Sequence, residues 1–308
     1  MDPARDFLVA RRPPPATYRG RLAPSPTGYL HLGHARTFWT TQARAQQAGG
    51  VLVLRVEDLD RPRCRPDFVR ALYEDLRWFG FRWQEGPDVG GPHGPYLQSE
   101  RRLWYEAALT RLRLGGWVYP CQCSRREVAA AAGAPHAEEE DEPLYPGTCR
   151  APADCPLTPP PKGRFHWRFR VPEGEPIQFE DGCQGIQCFV AGRDFGDFIV
   201  WRNDDVPAYQ LACVVDDATM QITEVVRGAD LLKSTARQLL LYRALGWTPP
   251  RFYHCPLVTD STGRRLAKRH AALSLRTLRE EGWQPAQLRE LWKDAGTGLS
   301  RLLEPADL

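Results

Sequence analysis

Three groups of residues in this chain have types and spacings that suit chemistry. The first is His31-Leu-Gly-His34, which follows a turn punctuated by proline and glycine from Pro24 to Gly28, where a short apolar run passes into a helix. The first N–H groups of a helix lack intrahelical partners and its dipole places positive charge there, so such a junction holds phosphate. Two imidazoles three residues apart share a helical face, and neutral donors there suit the charge that grows on a phosphate during displacement at phosphorus. The second group is Arg55, Glu57, Asp58 and Asp60, at the carboxyl end of the run VLVLRVED. That run reads as a buried parallel strand, whose carboxyl end faces ligand. A carboxylate at Glu57 could receive an ammonium group, whereas Asp60 reads as part of a solvated turn. The third group, Cys121-Gln-Cys123 and Tyr145-Pro-Gly-Thr-Cys149, supplies three thiolates and a phenol, a donor set for tetrahedral zinc. Buried free thiols are the alternative, and Cys155 is a competing fourth ligand, whereas His136 is discounted because it lies in the loop between the paired cysteines.

Elements must position these groups. A helix is expected over about 34–47, ended by Gly49-Gly50, with the strand VLVLRVED after it. Residues 67–79 read as an amphipathic helix capped by Asp67, and a further helix is expected from a Ser99 cap to Gly115-Gly116. The polar, acidic tract at 137–142 between the paired cysteines reads as a mobile loop, and Cys155-Pro-Leu-Thr-Pro-Pro-Pro as a stiff linker. Short β-prone runs between Gly and Asp turns at 164–202 predict antiparallel hairpins. Cys64, Cys183, Cys188, Cys213 and Cys255 have no ligand spacing and read as small apolar residues.

The 308 residues suffice for one large or two modest domains, and the net charge of +3 is carried almost wholly by arginine, which leans toward phosphate partners. No apolar run reaches the roughly 18 residues of a membrane helix. The N-terminus does not read as a signal peptide, and nine cysteines, an odd number, do not suggest a disulfide framework, so the expected compartment is the cytoplasm.

The segment RLAPSPTGYLHLGHAR (21–36) resembles the HIGH signature of class I aminoacyl-tRNA synthetases, and its APSPTG prefix is similar to the glutamyl/glutaminyl branch. RVEDLD, with Leu59 where threonine is usual, Tyr96-Leu-Gln-Ser-Glu-Arg and the VVDD…ITEVVRGADLL block resemble the same branch. RLAKR at 265–269 stands where KMSKS would be, with Arg265 and Ala267 as departures. The resemblance implies an α/β fold: a Rossmann-type nucleotide-binding core, an inserted zinc-bearing α+β subdomain, a short C-terminal helical segment and no anticodon-binding domain. The expected boundaries are a flexible arm at 1–17, the first half of the core at 18–115, the inserted subdomain at 116–204, the second half at 205–258, and the signature loop with a helical segment that contacts the tRNA stem at 259–308.

The resemblance also implies roles. Arg21, Leu22, Ala23, Pro24, Ser25, Glu57, Tyr209 and Arg227 would hold L-glutamate; His31, His34 and Lys268 would hold ATP and act in catalysis. Cys121, Cys123, Tyr145 and Cys149 would hold one structural Zn²⁺, and Mg²⁺ would come with ATP. Cys213 stands where full-length glutamyl enzymes often carry asparagine, which sets this pocket apart from theirs. The sequence leaves no room after its last two short helices for an anticodon-reading region, and so it is similar to the glutamyl-queuosine tRNA(Asp) synthetases. That family implies activation of glutamate without tRNA, then transfer to the queuosine base at the wobble position of tRNA(Asp), with no obligate protein partner. The alternatives are a truncated enzyme charging tRNA(Glu) and a non-catalytic RNA-binding paralogue.

Overall fold

In a computed structural model, the residues described are 17–124, 126–128, 143–150, 164–257 and 274–292. In chain order the elements are β1 (Arg19–Leu22), α1 (Leu32–Gln47), β2 (Val51–Leu54), α2 (Pro66–Phe79), α3 (Arg102–Leu114), β3 (Val118–Cys121), β4 (His166–Phe169), β5 (Pro176–Asp181) and β6 (Gly185–Val190). β7 (Phe198–Trp201), α4 (Tyr209–Thr219), β8 (Glu224–Gly228), α5 (Leu232–Leu245), β9 (Arg251–Cys255), α6 (Leu275–Glu280) and α7 (Pro285–Glu290) follow. The described residues divide into two compact units, one drawn from 17–100, 222–230, 252–257 and 274–292, the other from 101–221 and 231–251.

The first, here the histidine unit, is built on β1 and β2, which pair in parallel from Arg19↔Val51 to Leu22↔Leu54. Thr223 N–H donates to the Arg19 carbonyl and Arg19 N–H to the Thr223 hydroxyl, which lays the entry to β8 along β1, and β9 is the hydrogen-bonded neighbour of β8. α1 buries Leu32, Ala35 and Phe38 against Leu22, Leu52 and Leu54, and Leu72, Leu76 and Phe79 of α2 join the same core. At this scale each buried aliphatic side chain contributes roughly 1.5–3 kcal/mol. Gly50 could carry no side chain, because a Cβ there would stand 2.4 Å from the Tyr18 carbonyl oxygen. Asp67 does not cap α2. The cap position is Arg65, with Pro66 opening the helix and Asp67 in its first turn, where a carboxylate still favours the dipole. Gly80, at φ 100°, ends this helix in the left-handed conformation.

The other, here the cysteine unit, contains α3, capped by Arg101 rather than by Ser99. Ser99 lies in a 3₁₀ turn, where its hydroxyl donates to Asp58 at 2.6 Å, a long-range bond that outcompeted the local cap. Arg101 Nε meets Asp216 Oδ1 of α4 at 2.6 Å, and the Tyr105 hydroxyl donates to the same carboxylate, so α3 and α4 are joined by a buried, multiply bonded charge pair. The β-prone runs at 164–202 are all strands, but only β5 and β6 form a hairpin. β4 lies antiparallel between β3 and β7. Cys213 and Cys255 are buried as small apolar residues are, whereas Cys183 and Cys188 are exposed. Among the described residues no helix is long and apolar enough to cross a membrane.

Candidate active site and metal centre

The mouth of α1 is organised by the two histidines. His31 is the N-cap, outside the helix, and His34 is the third helical residue. Gly33 N–H donates to His31 Nδ1 at 3.1 Å and His31 N–H donates to His34 Nδ1 at 3.4 Å, a capping box made of imidazoles. An Nδ1 that accepts carries no hydrogen, so in the neutral form each ring keeps its hydrogen on Nε2. The rings lie 3.7 Å apart between centroids. Two Nε2–H donors are thereby set in one place by the backbone of the helix they cap. The segment ahead of them is fixed from the other side: Leu275 N–H donates to Leu30 O at 2.7 Å, and His31 bridges to Ser274.

Next to this mouth, the ends of β1, β2 and β8 gather the expected glutamate residues of the histidine unit. Arg21, on β1, donates from Nη1 to the Val226 carbonyl of β8 at 2.8 Å, which places it beside Arg227 in the adjoining strand. Glu57 N–H donates to Pro24 O at 3.0 Å, so the chain after β2 runs against the Leu22–Ser25 turn. There Leu22 and Pro24 are buried, Ala23 is half-buried and Ser25 is exposed. The Glu57 carboxylate accepts from Arg55 Nη2 at 3.0 Å, and Arg55 is wholly buried. Arg227 is 5 % exposed, and its Nε–H donates to His254 Nε2 at 3.1 Å. Beneath them Glu85 accepts two bonds from Arg19 and one from Tyr96. Burial alone would raise its pKa, but those donors outweigh burial and hold it below the usual carboxylate range.

Sequence reading missed Arg55 and His254 as the residues that aim Glu57 and Arg227. Arg55 was visible as part of a charged strand end, but His254 is 27 positions from Arg227 and only folding brings the two together. Tyr209 belongs to the cysteine unit, where it opens α4 and is 42 % exposed. Lys268, with Arg265 and Ala267, lies outside the described residues, as do Cys155, His136 and the acidic 137–142 tract.

In the cysteine unit, Cys121 ends β3 and Cys123, Tyr145 and Cys149 converge on it. The Tyr145 oxygen is 3.4 Å from Cys121 Sγ and 3.6 Å from Cys123 Sγ, and Cys123 and Cys149 sulfurs are 3.6 Å apart. All three sulfurs lie within 4.8 Å of one another. Zinc–sulfur bonds of about 2.3 Å in a tetrahedron separate their ligands by roughly 3.7 Å, so the four atoms fit a metal ion. Cys149 N–H donates to the Tyr145 oxygen at 2.7 Å and orients the phenol. Burial pushes the Cys123 thiol up to about 11.

Residues 17–302 match the family of class I tRNA synthetases (E and Q), catalytic domain. The chain is 50 % identical over 273 residues to a glutamyl-Q tRNA(Asp) synthetase of Symbiobacterium thermophilum, covering 86 % of this chain and 82 % of that one. It is 46 % identical to glutamate–tRNA ligase 1 of Halorhodospira halophila, covering 87 % of this chain and 56 % of the relative. Among solved structures it is similar to a glutamate tRNA ligase of Elizabethkingia meningosepticum crystallised with its amino acid, with a TM-score of 0.76 and 30 % identity over 89 % of this chain and 60 % of that one.

Proposed function

Because the chain belongs to the class I tRNA synthetases of the glutamyl and glutaminyl type, and is therefore a ligase-type enzyme, we propose that it activates L-glutamate with ATP and passes it to the queuosine base of tRNA(Asp). In the first step the glutamate α-carboxylate attacks the α-phosphorus of ATP, and the bond from that phosphorus to the α,β-bridging oxygen breaks to release pyrophosphate. In the second a hydroxyl of the queuosine cyclopentenediol attacks the acyl carbon and AMP leaves. Glu57 receives the α-ammonium group, Arg227 pairs with the side-chain carboxylate, and Arg21 with Leu22, Ala23, Pro24 and Ser25 shapes the floor. Tyr209 hydrogen-bonds the amino acid. His31 and His34 donate Nε2–H to the phosphates, and Lys268 neutralises the leaving pyrophosphate, whose Mg²⁺ arrives with ATP.

The observation that carries the activation step is the pair of Nδ1 acceptors. Each imidazole spends Nδ1 on a main-chain N–H at the helix mouth, so Nε2–H is the donor that each ring offers a phosphate. The choice of acceptor is supported by the Symbiobacterium relative, most of whose length this chain spans. Cys121, Cys123, Tyr145 and Cys149 hold one zinc ion, which supplies structure alone, since four protein ligands leave no open position. The cytoplasm, where charged tRNAs work, is the proposed compartment.

Glutamate transfer tests this directly, using tRNA(Asp) with queuosine, tRNA(Asp) with guanosine at that position, and tRNA(Glu). Label on the queuosine sample alone is the expected result. Label on tRNA(Glu) would make the protein a charging enzyme, and no pyrophosphate exchange with glutamate would remove activation altogether.

A further inference from the structure

We propose that Arg168 is the counter-charge of the metal centre and sets how tightly the ion is held, an inference that rests on the zinc reading above. Arg168 lies on β4 and is 3 % exposed. Its Nε–H donates to Cys121 Sγ at 3.3 Å, and its guanidinium carbon stands 4.1 Å over the Tyr145 ring. It therefore touches two of the four ligand residues, by two different kinds of contact. Its remaining bond runs from Nη1 to the main-chain oxygen of Asp197 at 3.1 Å, a neutral acceptor. The Asp197 carboxylate is engaged elsewhere: Oδ2 accepts from the Tyr119 hydroxyl at 2.5 Å, Oδ1 accepts from Val171 N–H at 2.8 Å, and Arg150 Nη1 stands 3.4 Å from Oδ1. A sulfur, a peptide oxygen and a ring face surround a permanent, buried cation, and the charge that answers it is the thiolate.

Charge counting gives the same result from the metal's side. Three thiolates around a divalent ion leave a net negative charge on the cluster even if the phenol stays neutral, and a buried net charge needs compensation. Arg168 supplies it, and its Nε–H also orients the Cys121 sulfur, as groups outside the ligand set commonly do.

Zinc retention separates this role from simple packing. Arg168→Met should release zinc to a chromophoric chelator about 10- to 100-fold faster than the wild type, with Arg168→Lys in between. Arg168→Met should meanwhile lower the thermal stability of the zinc-loaded form more than that of the metal-free form, because only the loaded form holds the negative cluster that Arg168 answers. Unchanged zinc release from both variants would overturn the proposal, as would equal destabilisation of the metal-free and zinc-loaded forms by Arg168→Met. Metal analysis of the wild type distinguishes the two levels: absence of zinc there would remove the metal reading itself and the proposal with it.

Discussion

The two candidate sites are built in opposite ways. In the histidine unit the functional side chains are set by the main chain: Gly33 N–H orients His31, His31 N–H orients His34, and the Pro24 carbonyl fixes Glu57. In the cysteine unit the ligand atoms meet through side chains, and the neighbours that steady them, Arg168, Asp197 and Tyr119, come from three different strands or their flanks. The first arrangement suits ligands that come and go, as the proposed ATP and glutamate do. The second brings three thiols and a phenol within reach of one another, the donor set of a resident ion with Arg168 beside it. The difference predicts that the first site tolerates loss of its ligand, and that the second does not.

The largest effect should follow loss of the metal. Structural zinc contributes on the order of 10 kcal/mol to small domains, so Cys149→Ala should drop zinc from one per chain to none and speed amide exchange through β3, β4 and β7. Amides of β1, α1 and β2 should keep their protection. If they lost it as well, the contrast between the two regions would fail. Next in size, Arg227→Ala should lower kcat/KM for glutamate about 100- to 1,000-fold in pyrophosphate exchange, since it removes a charge-assisted partner of a carboxylate. His31→Asn sharpens the point that the first site is built by the main chain. Asparagine caps helices as well as any residue, so stability should hold while adenylation falls about 100-fold for want of the Nε2–H donor. His254→Leu, which takes the acceptor from Arg227 Nε, should raise KM for glutamate about tenfold with kcat little changed. An equal fall in kcat would mean that His254 acts in the transition state instead.

How much of this could be read beforehand follows the same division. The histidine-capped start of α1, the parallel β1–β2 pair and the charges after β2 lie in continuous stretches, and continuous stretches carry their periodicity and turn chemistry with them. The cysteine cluster was legible from spacing because ligand types are few. The residues that hold these groups in place were not legible. Arg168 is 47 positions from Cys121 and His254 is 27 from Arg227, and neither has a type that marks it. The two misplaced helix caps have the same cause. Asp67 and Ser99 were chosen as good local caps, but proline at the helix start and a distant carboxylate on Ser99 decided the boundaries.

One buried charge belongs to neither site and shows what their partners are worth. Asp75, on α2, is wholly buried, and neither of its carboxylate oxygens has a hydrogen bond among the described residues. Arg276 Nε of α6 stands 3.8 Å away, while the same guanidinium gives its short contact, 2.6 Å, to Glu74. Burial raises the Asp75 pKa to about 6, against the pull of Arg276 and Arg279. A carboxyl whose folded pKa lies above its ordinary 3.8 binds its proton more tightly when folded. Its contribution to stability is therefore complete below about pH 4 and is lost as pH rises through about 6, so at pH 8 the ionised group is a net cost. Asp75→Asn keeps the shape without the charge. It should raise stability at pH 8 by about 1–2 kcal/mol, less than the full linkage value because the amide brings unmet hydrogen bonds of its own. The gain should fade as the pH is lowered toward 4, as urea midpoints at the two pH values would show. A variant equally destabilised at both would mean that Arg276 and Arg279 compensate Asp75 as fully as Arg55 compensates Glu57.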